Sequence, residues 1–181
     1  MKMRIVAGLA TLAATGACAL AIAAGADYSP TIDFDRYTSF TWDEPDERPV
    51  GDPRLENNPF FEDRLHAAVA VELAAVGARE GASGPTLLVH HHATVRDRVD
   101  VYEADSREGY STPDFGAGTQ VVQYDEGTIL IDIADQETRD VVWRGWARFD
   151  IGRALTDPRV MADAIDEAVE KMFTRYPAGR R

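Results

Sequence analysis

Residues 127–152, GTILIDIADQETRDVVWRGWARFDIG, narrow the choice of fold more than any other stretch of this chain. Ile129, Ile131 and Ile133 alternate with Thr128, Leu130, Asp132 and Ala134, and a period of two puts the isoleucines on one face of a strand. Val141, Trp143, Gly145 and Ala147 then alternate with Val142, Arg144, Trp146 and Arg148, which predicts a second strand with its two tryptophans on opposite faces. Asp135–Asp140 between them has no apolar side chain to bury and reads as a four-to-six-residue or bulged hairpin loop. Asp132 and Arg144 fall near one another across this hairpin, in reach of a cross-strand ion pair.

The flanking segments supply the remaining elements. Tyr37–Trp42 is aromatic-rich and β-prone, following a short extended stretch from Asp27. Asn58-Pro59 opens a helix, since Asn58 caps free N–H groups and Pro59 stands where a missing N–H costs nothing. Phe61, Leu65, Ala68, Val69, Leu73 and Val76 give it one apolar face, and Gly77 ends it. His66 lies off that face, one turn after Glu62, and is expected to be solvated. Thr86–Val101 is a long strand, with Leu87, Val89, His91, Ala93 and Val95 on one side. Glu103–Asp125 reads as a long loop with a short strand at Gln120–Tyr124, and loops of this length are mobile or functional. Tyr110 and Phe115 near its tip are candidate partner contacts. Thr156-Asp157-Pro158 repeats the cap-then-proline signal, and the second helix should run to Tyr176, before Pro177. Alternating strands with two one-faced helices predict an α+β two-layer sandwich: a largely antiparallel sheet with both helices on one side.

The N-terminus reads as an export signal. Lys2 and Arg4 precede an uncharged apolar run, Ile5–Ala24, that ends in small residues. Two cleavage readings stand. Ala24-Gly25-Ala26 is a small-x-small site, which would leave a domain at 27–177 and a short basic tail at 178–181. Ala14-Thr15-Gly16-Ala17-Cys18 instead has the form of a bacterial lipobox, with Thr15 where Leu is usual and Cys18 as the lipidated residue. Cys18 is the only cysteine of the 181 residues, so the folded domain has neither an internal disulfide nor thiol catalysis. The chain carries a formal charge of −12; loss of Lys2 and Arg4 leaves 17 basic against 31 acidic residues, or −14. Such a surface repels phosphates, so nucleic acid is not expected as a partner, and membrane contact is expected only through the leader or its lipid.

Catalytic motifs do not emerge. There is no G-x-S-x-G elbow, and Gly81-Ala82-Ser83-Gly84 lacks the lysine and helix of a phosphate loop. The expectation is a non-catalytic binding or structural module rather than an enzyme. The alternative is a metal site. His90 and His92 share one face of their strand at a spacing that suits two zinc ligands, and Asp132 or a carboxylate of the long loop would be the third. His91 points to the opposite face, and the structural reading has the histidines hydrogen-bonding along the sheet, with His91 partly buried.

Several of these pieces together resemble a bacterial envelope family, domain of unknown function 4136. They are Asp27-Tyr28, Ile32-Asp33-Phe34, Tyr37–Trp42, the Arg64–Gly77 helix, Leu87-Leu88-Val89 with the histidines, Gly127–Asp132 leading to Val142–Gly145, and the helix to Arg175-Tyr176-Pro177. The Ile131-Asp132 strand joined to Trp143-Arg144-Gly145 is the most specific part. The resemblance implies no activity and no catalytic residues. It does imply a lipoprotein, which favours Cys18 as the processed terminus. The expected location is the periplasmic side of the cell envelope; if Cys18 is lipidated, Ala19 beside it, rather than an acidic residue, makes that the periplasmic face of the outer membrane.

Overall fold

The computed structural model describes residues 20–43, 52–55, 58–103 and 119–177, with backbone alone for 101–103 and 119–120. Six strands form one sheet: β1 (Ala23–Tyr28), β2 (Ser39–Trp42), β3 (Arg79–Glu80), β4 (Thr86–Glu103), β5 (Thr119–Asp135) and β6 (Val141–Asp150). Their spatial order is β1-β6-β5-β4-β2-β3. Pairings are antiparallel except those of β2, which runs parallel to both β4 and β3. Two helices, α1 (Pro59–Ala75) and α2 (Pro158–Phe173), cover one face, so the molecule is a two-layer α+β sandwich with an open sheet.

Both helices begin as their sequences predict. The Asn58 side chain accepts from the N–H groups of Phe60 and Phe61 at 3.0 and 3.3 Å, and Asp157 accepts from Arg159 N at 2.9 Å. Past the end of α1, Gly77 adopts φ of 98°, which lets Ala78 N donate back to Leu73 O at 2.9 Å. Helix α2 stops at Phe173, three residues short of Tyr176, because Arg175 N and Tyr176 N bond to carbonyls only three residues back.

The core lies between the helices and one sheet face. Leu65, Val69 and Leu73 of α1 and Ile165, Val169 and Met172 of α2 are fully buried against Leu87, Ile131, Ile133 and Trp143. Each such aliphatic side chain contributes roughly 1.5–3 kcal/mol by leaving water. A register shift between Ile133 and Ala134 turns Val142 inward while Val141 stays half exposed, a local departure from strict alternation in β6.

Strand β1 is the main departure from the sequence reading. Ala23–Ala26, which cleavage after Ala26 would place in the leader and processing at Cys18 would not, pair with Ala147, Trp146 and their neighbours along β6. The preceding Ile22 is buried, and Lys171 Nζ donates to its carbonyl at 3.3 Å. The expected short strand at Gln120–Tyr124 is likewise the first part of a continuous β5. Strands β4 and β5 stay in register from Leu87↔Asp135 to Glu103↔Thr119, whereas β2 leaves β4 after Val89 and β6 leaves β5 at Glu126. The result is a two-stranded arm, residues 97–103 with 119–125, that projects beyond the rest of the sheet.

Candidate functional site

The face of the sheet opposite the helices carries three rows of side chains whose partners follow from the strand register. The first is His90, Asp132, Arg144 and Asp27; the second His92, Leu130, Trp146 and Gly25; the third Thr94, Thr128, Arg148 and Ala23. The predicted ion pair lies at the centre. Arg144 Nε and Nη2 donate to Asp132 Oδ1 and Oδ2 at 2.5 and 2.6 Å, and this carboxylate holds the guanidinium pKa above its ordinary value. The Trp146 ring lies flat over β1. A Cβ at Gly25 would come within 2.7 Å of Trp146 Cζ2, so only glycine leaves room for it. The Arg148 guanidinium stands 5.2 Å from the Trp146 ring centre, within cation–π range. Where the arm leaves the sheet, this face deepens into a concavity of about 460 Å³ lined by Ala23, Tyr124, Glu126 and Arg148 among others. The surface is therefore a mixed one: an aromatic platform at Trp146, a bidentate ion pair at its centre, a second pair, Arg98–Glu126, toward the arm, and an acidic rim.

Trp143, by contrast, is buried with Phe173 and Tyr176, so the two tryptophans do fall on opposite faces. Its Nε1 is buried without a hydrogen-bond partner among the described residues.

Of the predicted metal ligands, His90 and Asp132 are register neighbours and His92 aligns with Leu130. Both oxygens of Asp132 are engaged by Arg144, and the described residues include no group of three or more His, Cys, Asp or Glu placed to hold an ion. On the other face, His66 is not solvated as expected. It stacks on Trp42 at a ring distance of 3.8 Å, with His91 edge-on to it at 5.1 Å. Burial pushes the His66 pKa down against the pull of Glu62, Asp63 and Glu80. Spacing along α1 does not reveal this role, because Trp42 arrives from a different strand. Cys18, Tyr110 and Phe115 lie outside the described residues.

Sequence reasoning missed Gly25 and Ala23 as members of this face. The only signal is the alternation Ala23-x-Gly25-x-Asp27, which small residues beside an apolar leader obscure.

Among curated proteins, none matches this chain. Among solved structures, a PDZ domain protein from Parabacteroides distasonis is similar at 15% identity and a TM-score of 0.53, over 85% of this chain and 35% of that one. The chain thus spans about a third of that protein's length, and the likeness is one of fold. A minor lipoprotein from Acinetobacter baumannii matches at 13% identity and a TM-score of 0.42, over 77% of this chain and 91% of that one. A putative neuraminyllactose-binding hemagglutinin homolog from Helicobacter pylori matches at 10% identity and 0.45, over 78% and 86%. The family model described as Domain of unknown function (DUF4136) matches residues 25–178, the sheet and both helices together, and the chain belongs to that family.

Proposed function

We propose that this protein is a non-catalytic module of the bacterial cell envelope, lipid-anchored through Cys18 on the periplasmic face of the outer membrane, that binds another envelope component through its open sheet face. One observation carries the reading: the folded domain starts before Ala23. Cleavage after Ala26 would remove Ile22 from the core and four of the six residues of β1, exposing the edge of β6 and the underside of Trp146. Processing at Cys18 keeps all of β1, and leaves only Cys18 and Ala19 between the lipid and Leu20, which packs against the core. The domain would then ride close to the membrane. The minor lipoprotein from Acinetobacter baumannii fits this placement as an analogy of name alone. For the face itself, Trp146 offers a rigid aromatic anchor beside charged neighbours, the composition that binding surfaces favour.

The test is the mass of the mature chain from the envelope fraction. The expected terminus is an acylated Cys18, and the Cys18→Ser variant loses the acyl mass. A chain that starts at Asp27 overturns the reading. Photo-crosslinking from position 92 on the open face then seeks the partner, and the adduct is expected to weaken in an Arg144→Ala variant.

A further inference from the structure

The outer edge of β4 beyond Val89 has no strand beside it among the described residues. Such an edge is a template for another strand. Its direction of bonding can be worked out. Asp43 N donates to Val89 O across this edge, so the N–H and C=O groups of Val89 point outward. The β4–β5 register shows no shift, so the odd-numbered residues continue to point outward as far as the arm. Val99 is therefore both outward-bonding and 56% exposed. It stands on the face that nearer the core carries Val89 and Ala93 to the helices, but among the described residues no helix covers it out at the arm.

We infer that the arm edge of β4 pairs with the same edge of a second copy of this chain, antiparallel about a two-fold axis at Val99. The charge sequence selects this register. Arg98-Val99-Asp100 is antisymmetric about Val99, so two-fold pairing there sets Arg98 opposite the partner's Asp100 and Asp100 opposite the partner's Arg98. Val99 meets its own copy in a pair that exchanges both backbone bonds. Shifting the axis to Arg98 or Asp100 sets like charges opposite each other, and shifting it to Asp97 opposes both Asp97 to itself and Arg96 to Arg98. Like charges directly across an antiparallel ladder are destabilising. The free edge of β5, residues 119–124, offers no such pattern, because it carries no charged side chain. Within its own chain Arg98 already donates to Glu126 of β5 at 2.9 and 3.0 Å, which keeps its guanidinium on the open face, and pairing across the edge would add the partner's Asp100 as a second carboxylate. The interface is isologous and closes as a dimer, leaving the rows around Trp146 uncovered.

Two tagged full-length copies expressed together test this by capture of one and detection of the other. Wild type is expected to capture wild type. Arg98→Asp with itself sets acid against acid twice, and Asp100→Arg with itself sets base against base twice; each homotypic pair should fall about tenfold or more. Arg98→Asp together with Asp100→Arg restores opposite charges at both positions, and this mixed pair should recover. The recovery also shows that both variants fold. Absence of wild-type capture overturns the proposal, and so does retention of either homotypic pair or failure of the mixed one. None of these arms depends on what the open face binds.

Discussion

Asp135 ends β5 with its carboxylate buried beneath four donors. Arg36 Nη2 reaches it at 2.6 Å, the Tyr37 hydroxyl at 2.8 Å, and the N–H groups of Glu137 and Thr138 at 2.8 and 3.0 Å. One side chain thus ties the β5–β6 turn to the segment before β2. The turn needs the support, since Arg139 is held at φ of 64°, a region that side chains rarely occupy. Asp135→Ala leaves the Tyr37 hydroxyl and two backbone N–H groups without their acceptor, and should lower stability by about 3 kcal/mol at neutral pH. Urea unfolding with an unchanged slope checks this. The Thr138 N–H first, then the Tyr37 hydroxyl, the Glu137 N–H and Arg36, hold the Asp135 pKa below the usual carboxylate range against the cost of burial. A depressed carboxylate contributes its stability fully above the unfolded value of about 3.9, and loses it as pH falls through the lower folded value. The acid limb of the stability curve should therefore flatten in Asp135→Asn. Burial and the carboxylate push Tyr37 up to about 12. Its contribution is complete below the unfolded value of about 10 and disappears as pH rises through the folded one.

At the scale of elements, β6 is shaped by a glycine. A Cβ at Gly145 would run into the Trp143 ring and the Met172 sulfur. The ring is fully buried and has nowhere to move. Gly145→Ala should cost about 1–3 kcal/mol by overpacking, with a shift in tryptophan fluorescence, while Gly25→Ala should cost less because the Trp146 ring above it is only half buried. Calorimetric melting of the two variants makes the comparison. The same elements show what sequence alone conveys. In β5 and β6 one face is buried and one is not, so alternation gives the strands, and their register then gives Asp132–Arg144. The helices announce themselves through Asn58-Pro59 and Asp157-Pro158. The outer part of β5 shows in the sequence only as a separate short strand at Gln120–Tyr124, because residues 121–126 are wholly or partly exposed on both faces and nothing sorts them by polarity. Strand β1 was hidden because alanine and glycine read alike in a leader and at a flat sheet edge. The setting of His66 does not show in the sequence because its stacking partner, Trp42, comes from another strand.

For the whole molecule, the placement of β1 sets the minimal folding unit. A domain that begins at Asp27 should melt at lower temperature than one that begins at Leu20, since it lacks Ile22 and four β1 residues with their ladder to β6. For a domain of this size, each 1 kcal/mol lost is worth about 2–4 °C. Paired circular dichroism melts decide it, and equal melting temperatures would remove the main support for processing at Cys18.

The pairing of Ala23 with Arg148 spans most of the chain. Long-range pairing of this kind is slow, because its loop must close before any contact rewards it. Were the chain threaded through a narrow export pore, as the proposed location requires, β1 would have no partner until most of the sequence had followed it. On the proposed route of export, strand order would make the joining of β1 to the sheet a late event of delivery, because β6 emerges long after β1.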